Sequence, residues 1–166
     1  MICYKAMNII KPTTARYSEI HNLLDRAFAG SISESKLVKD LHDKGKISLD
    51  LIMEQNGRVL AYICYSAAYD NNKALIGYHL APLAVLPEKQ RQGLGQRITR
   101  ESLKLLPKDL TVYVLGDPEY YKQFGFKVDK TQKCSSDPEG LHFMVLSRVP
   151  LPPRNVLYEE EFYELA

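Results

Sequence analysis

Pro82 falls inside a largely apolar run from Ala74 to Leu86 that otherwise reads as one long strand. A proline has no N–H to give to a ladder, so the sheet must bulge or splay at that point. A splayed strand leaves a gap beside it where a ligand can enter. A few residues later the chain passes Pro87 and reaches Gly93 and Gly95 at the start of a helix-patterned segment. The fold therefore has to carry a broken strand edge straight into a glycine-bearing strand-to-helix turn.

Around that strand the apolar period changes along the chain. Ala6 to Ile10 reads as a strand closed by Pro12, and Thr13 and Thr14 offer caps for a helix. Ile20, Leu23, Leu24, Ala27 and Phe28 fall at i, i+3, i+4, i+7 and i+8, which makes one buried stripe. After Gly30, Ser33 can cap a second helix with Leu37, Val38 and Leu41 inside, and Gly45 stops it. From Ile47 the period becomes two. Ile47, Leu49, Leu51 and Met53 alternate with polar partners, Asn56-Gly57 is a two-residue hairpin turn, and Val59, Ala61, Ile63 and Tyr65 alternate back. Asp70-Asn71-Asn72 turns the chain into the proline-bearing strand. Beyond it, Leu94, Ile98, Leu105 and Leu106 share a helix face ended by Pro107, and Leu110 to Leu115 is a strand. Gly116-Asp117-Pro118 opens a short helix closed by Gly125; Phe126 to Val128 begins a strand, and Leu141 to Val149 is the last. Between them, Thr131 to Gly140 is a polar loop, and after Pro150, Pro152 and Pro153 comes an acidic-aromatic tail, Tyr158 to Leu165. Two helices, a meander and strand–helix–strand crossovers describe one α/β domain around a mixed sheet.

Size and charge narrow the function classes. The 166 residues fit a single domain at about 150 residues each. Lys plus Arg is 22 and Asp plus Glu is 20, and the net charge of +2 excludes a strongly basic nucleic-acid binder. No apolar run approaches the ~18 residues needed to span a bilayer, and the start MICYKAMN has no signal core. Cys3, Cys64 and Cys134 have no CxxC spacing, so neither a disulfide framework nor a zinc clamp is supported. The expected compartment is the reducing cytoplasm.

The chemistry concentrates in residues 83–97. The first turn of a helix has unpaired N–H groups and a positive dipole end, both favourable to an anion. Gly93 and Gly95 would let a phosphate approach the backbone, with Lys89, Arg91, Arg97 and Arg100 adding charge. The dinucleotide pattern G-x-G-x-x-G fails at Ile98, and the Gly-Lys-Ser/Thr of a Walker loop is missing. The spacing is Q-x-x-G-x-G, from Gln90 through Gly93 to Gly95. Two glycines alone also suit a turn that binds nothing.

The proline-bearing strand, then Leu83-Ala84-Val85, then Gln90-x-x-Gly93-x-Gly95 resembles the acyl-CoA-binding motif of the GNAT superfamily of N-acetyltransferases. Val114 to Phe126, with Leu-Gly-Asp-Pro, Tyr120-Tyr121 and Phe124-Gly125-Phe126, is similar to that family's second motif, as found in bacterial YhbS-like acetyltransferases. The resemblance covers residues 7–149 in element order, and its specific part is 80–126. It implies a GNAT-like fold: a mixed, mostly antiparallel sheet splayed at the acyl-CoA site and flanked by helices. An acetyltransferase domain would occupy residues 1–149, with 150–166 as a tail packed on it.

The resemblance also implies roles. Backbone amides of Arg91, Gln92, Gly93, Leu94, Gly95 and Gln96 would grip the CoA pyrophosphate. Leu83, Ala84 and Val85 would lie along the pantetheine, with the Val85 amide as oxyanion donor. Tyr121 matches the general acid that protonates the departing thiolate. In this family an Asn commonly stands early in the second motif; here Gly116-Asp117-Pro118 replaces it, so Asp117 is the candidate pantetheine contact from that segment. His79, upstream on the long strand, is the first candidate for general base, and Glu54 the second. His21, His42 and His142 share no metal spacing and read as surface positions, while Cys64 and Cys134 would serve only a ping-pong scheme.

The implied activity is acetyl transfer from acetyl-CoA to a small-molecule or peptide amine by direct attack in a ternary complex. It would need no metal, nucleic acid or membrane. Phe28 to Ser35, in the implied acceptor wall, carries no acidic cluster of the kind a polyamine or aminoglycoside would require. A catalytically weak acyl-CoA-binding or regulatory module and a nucleotide-binding domain are the alternatives. The tail can pack on its own domain without loss of translational freedom, which favours a monomer or a loose homodimer.

Overall fold

The computed structural model describes residues 6–164. Cys3, and Leu165 at the end of the tail, lie outside the described residues. The chain opens with β1 (Asn8–Ile10), α1 (Tyr17–Ala27) and α2 (Ser33–Asp43), then the meander β2 (Ile47–Gln55), β3 (Arg58–Tyr69) and β4 (Leu75–Val85). Next come α3 (Leu94–Leu105), β5 (Thr111–Leu115), α4 (Pro118–Tyr121), β6 (Lys127–Val128), β7 (Gln132–Lys133) and β8 (Phe143–Leu146). The tail adds β9 (Arg154–Asn155) and β10 (Leu157–Tyr158). The main sheet runs β1-β2-β3-β4-β5-β8-β6, with β10 on β3, and only its β4–β5 pair is parallel. A small parallel ladder joins β7 to β9.

The helix stripes behave as their period requires. Ile20, Leu23 and Leu24 of α1 and Leu37, Val38 and Leu41 of α2 are buried. The caps differ from expectation. A 3-10 turn over Thr14–Arg16 precedes α1, so Thr13 and Thr14 give no side-chain cap and the Arg16 N–H bonds the Thr13 carbonyl instead. Ser33 is the first residue of α2 rather than its cap, and its hydroxyl pairs with Ser31 and Glu34. Gly45, at φ +69°, closes α2 with Lys46 N–H on the Leu41 carbonyl and Gly45 N–H on His42, a Schellman arrangement.

β3 departs from its alternating pattern. Every residue from Val59 to Ser66 is buried, because β3 is a central strand covered on both faces. On one face the Tyr62 hydroxyl reaches Asp50, which also holds Tyr17 of α1 at 2.5 Å. On the other, the Tyr65 hydroxyl meets Ser102 of α3 at 2.7 Å. Leu105, expected on the buried face of α3, is 60% exposed; the helix ends there and Leu106 takes the inner place. The last long strand shrinks to β8, because its two neighbours, β5 and β6, are both short. The loop expected from Thr131 to Gly140 contains β7.

Pro82 has the effect its chemistry demands. Ile63 pairs Leu83 and Tyr65 pairs Leu80, so β4 carries one extra residue around Pro82 while β3 runs straight. The Ala81–Pro82 peptide is cis. Upstream of the bulge, β4 meets β5 through only three pairs, Gly77–Thr111, Tyr78–Val112 and His79–Tyr113. Gly77 makes that approach possible: a Cβ there would stand 2.1 Å from the Thr111 carbonyl oxygen. Gly77→Ala is therefore expected to cost about 2–4 kcal/mol, since backbone rather than a flexible side chain would have to yield. Urea unfolding checks this, and an unchanged midpoint would contradict the close approach.

Candidate active site

Beyond His79 the two strands part, and β4 keeps only its β3 edge, with Leu83, Ala84 and Val85 opposite Ile63, Tyr62 and Ala61. The Leu86 N–H donates to the Leu60 carbonyl at 2.9 Å. Bonded and non-bonded positions alternate along an antiparallel pair. Ala84 therefore spends its backbone groups on β3, while Leu83 and Val85 turn theirs into the gap. The Val85 carbonyl accepts a bond from Gln90 Nε2 at 3.1 Å, and its N–H remains directed into the opening. Of the three strand residues expected along a ligand, two present hydrogen-bonding backbone and Ala84 does not.

The gap leads to a turn shaped by two positive φ values, Arg91 at +62° and Gly93 at +84°. Gly93 flanks α3, and no side chain caps the helix, so the N–H groups of Leu94, Gly95 and Gln96 face outward. A Cβ on Gly93 would meet nothing within 4 Å, so glycine is needed there for its conformation. Gly95 is needed for space, since its Cβ would stand 2.8 Å from the Tyr120 hydroxyl. Arg97 donates to the Met7 carbonyl at 3.3 Å, and Arg100 lies 5.3 Å over the Phe124 ring. Gln92 braces the loop through the Glu88 carbonyl at 3.3 Å.

One residue of the turn escaped the sequence reading. The Glu88 carboxylate takes Arg26 of α1 at 2.7 Å and also Arg58, tying the loop to two other elements. Its own backbone N–H, then these guanidiniums, hold Glu88 down to about 2. Only long-range pairing reveals it, and sequence spacing carries no such signal.

On the far side of the gap, Asp117 caps α4 by accepting the Glu119 N–H at 2.9 Å. Its carboxylate is committed to the helix start. Gly116 makes room for the phenol of Tyr121, because a Cβ there would lie 2.5 Å from that ring. Tyr120 meets Tyr121 edge-on at 5.0 Å, and Phe126 does so at 5.7 Å. Burial pushes the Tyr121 phenol well above its ordinary range, so it stays protonated.

Tyr121, His79 and Leu83 line one cavity of about 400 Å³ in the gap. His79 is 3% exposed, lies flat on Tyr158 with ring centres 3.5 Å apart, and leaves Nδ1 without a partner. Burial lowers its pKa to about 3. A conjugate acid that strong cannot hold a proton taken from an ammonium, which argues against His79 as the base. Glu54 is paired with Arg16 at 2.6 Å and lies on β2, with β3 between that strand and β4. His42 stacks on Tyr17 at 3.9 Å, His21 is half-buried and His142 is exposed. Cys64 and Cys134 are buried free thiols, and burial pushes Cys64 up, which suits neither to nucleophilic attack. Among the described residues no group of three or more His, Cys, Asp or Glu could hold a metal ion, and no helix is long and apolar enough to cross a membrane.

A strand edge opened beside a parallel partner thus leads into a glycine turn without a side-chain cap, with a tyrosine across the gap, in one α/β fold. The model of the acetyltransferase (GNAT) domain matches residues 49–128. YhbS of Escherichia coli K12, an uncharacterized N-acetyltransferase, is 36% identical over 112 residues, a stretch covering 66% of each chain. YjhQ of the same organism, also an uncharacterized N-acetyltransferase, is 34% identical over 127 residues, covering 72% of this chain and 66% of the relative. The crystal structure of Escherichia coli YhbS in complex with CoA superposes with TM-score 0.90 at 27% identity, over 100% of this chain and 96% of that one. A GNAT family acetyltransferase from Brucella melitensis in complex with acetyl-CoA gives TM-score 0.81 at 29% identity, over 96% and 99%. The chain belongs to the GNAT family of acetyltransferases.

The buried imidazole makes a pH prediction. His79 has an unfolded pKa near 6.5 and a folded value of about 3. Below pH 6.5 the unfolded chain takes up a proton that the folded chain refuses, so stability is full above 6.5 and falls as pH drops toward 3. The slope from this residue approaches about 1.4 kcal/mol per pH unit. Comparing wild type with His79→Phe by urea unfolding at pH 7 and pH 5 checks it; identical pH slopes would contradict a neutral buried His79.

Proposed function

We propose that this protein transfers the acetyl group of acetyl-CoA to a primary amine, by direct attack with donor and acceptor bound together. The observation that carries this reading is the continuous path from the open edge of Leu83 and Val85 to the left-handed Gly93 turn. That path pairs hydrogen-bonding backbone for an extended amide-bearing arm with an anion-favouring helix start for its pyrophosphate. The open space at Gly93 and the Tyr120 hydroxyl against Gly95 fit such a ligand to this turn.

Bound acetyl-CoA supplies a thioester, an activated acyl group whose leaving thiol has a pKa of about 8.5. The N–H groups from Arg91 to Gln96 hold the pyrophosphate, and Gln90 steadies the Val85 carbonyl at the edge. The backbone of Leu83 and Val85 binds the pantetheine, with Ala84 keeping that strand on β3. Negative charge developing on the thioester oxygen meets the Val85 N–H, where a fixed donor costs no reorganisation. As the C–S bond breaks, Tyr121, kept protonated by burial, gives its proton to the thiolate, and the proton shed by the new amide nitrogen returns through water to the phenolate. With His79 held neutral, the amine sheds its own proton to water and attacks as the free base. Both described cysteines are free thiols, which suits a reducing cytoplasm. The tail's own pairing on β3 suits a monomer or a loose homodimer.

Two variants separate binding from chemistry. Gly93→Asp puts a carboxylate and a strained φ at the cradle, and should abolish acetyl-CoA binding by calorimetry while the chain stays folded. Tyr121→Phe should bind acetyl-CoA normally yet lose roughly 10²–10⁴ in kcat for CoA release. Because burial raises the Tyr121 pKa, the wild-type rate should show no descending limb up to pH 10. Normal binding by Gly93→Asp, or full turnover by Tyr121→Phe, would contradict these assignments.

A further inference from the structure

We infer that the acceptor is a compact monoamine with an apolar, ring-bearing or branched body, its cation matched by Glu34. This rests on reading the gap as an acetyl-transfer site and names the chemistry of its second substrate. The cavity beside Tyr121 is walled by the rings of Phe28, Tyr158, Phe162 and Tyr163. Glu34 is the one charged side chain lining it. Rings of this kind favour an apolar body and attract a cation at their faces.

The placement of charge narrows the class further. The hydroxyls of Ser31 and Ser33 both bond Glu34 Oε2 at 3.0 Å, which fixes the carboxylate on the first turn of α2. None of the tail's described carboxylates lines this cavity, and two of them are committed elsewhere. Glu159 takes the Tyr69 hydroxyl at 2.8 Å and Lys46 at 3.4 Å, while Glu161 takes Lys44 and Lys46 at 2.9 Å each. A polyamine would therefore find one anionic partner for several charges. An acceptor bearing a carboxylate or phosphate would find no cationic side chain among those lining the cavity. The volume of about 400 Å³ lies toward the small end of the roughly 300–1,000 Å³ usual for ligand sites, and the acyl end must share it.

Phe28, Glu34, Tyr158, Phe162 and Tyr163 all lie outside residues 49–128, the segment that matches the family model. The charge and most of the rings offered to the acceptor thus come from the α1–α2 region and the tail, against a wall of β4 residues and Tyr121.

Steady-state release of free CoA with phenethylamine, spermidine and glutamate tests this. Phenethylamine should exceed the other two at least tenfold in kcat/KM. Glu34→Gln should raise the phenethylamine KM roughly tenfold with acetyl-CoA affinity unchanged by calorimetry, and Glu34→Asp should restore part of it. Phe162→Ala should weaken phenethylamine more than it weakens spermidine. Acetyl-CoA binding with spermidine or glutamate equal or preferred overturns the inference alone, as does an unchanged KM in Glu34→Gln. Failure of the wild type to bind acetyl-CoA overturns the reading of the gap, and this inference with it.

Discussion

The parting of β4 from β5 after His79 is the constraint on which the rest of the structure depends. Three parallel pairs hold the strands together where Gly77 admits the Thr111 backbone. Past them, the extra residue around Pro82 keeps β4 on β3 and away from β5. Parallel neighbours cannot be joined by a tight turn, so the chain must cross over through α3. That crossover begins at the end of β4, and the start of α3 is therefore delivered to the mouth of the gap. One topological fact provides the opened edge and the anion-favouring helix turn together.

Charge is segregated along this gap. At the cradle end, N–H groups, Lys89 and Arg91 offer positive potential, and Glu88 is neutralised by two arginines. At the reacting end burial removes charge: Tyr121 stays a phenol and His79 a neutral imidazole, each held there by desolvation. A thioester and a free amine are both neutral, and Glu34 is left as the charged side chain among the described residues lining that cavity. The stack of His79 on Tyr158 and its tilted contact with Phe162 also anchor the tail, through contacts worth about 0.5–1.5 kcal/mol each beyond their buried area.

The local devices of this fold were legible in the sequence because each depends on residues near one another in the chain. Pro82, the Asn56-Gly57 turn, the Gly93 turn and the helix stripes were placed by period and backbone chemistry alone. The place of Tyr121 at the gap came instead from the resemblance of Val114 to Phe126 to the family's second motif. Features set by contacts across the fold were not legible, the Glu88 pairing among them. The two-sided burial of β3 depends on which helices cover it, and the alternation of Val59, Ala61, Ile63 and Tyr65 conceals the burial of Leu60, Tyr62 and Cys64. The bond by which Asp117 caps its short helix shows only once that helix is seen. The rings of the tail reach the cavity only because β10 returns to Tyr69 and Ala68 of β3, about 90 residues back along the chain. His79 shows the limit most plainly: its position was readable, but the burial that sets its pKa was not.

Hydrogen exchange of backbone amides, with and without acetyl-CoA, addresses the central claim at the resolution it is made. The free protein should exchange rapidly at Leu83, Val85 and residues 91–96, while Ala84, bonded to β3, exchanges slowly throughout. Acetyl-CoA should slow exchange at Leu83, at Val85 and across 91–96 together, leaving Ala84 unchanged. Slowing that misses the β4 edge, or appears there without the 91–96 turn, would contradict the opened strand and its adjoining turn as a single acyl-CoA site.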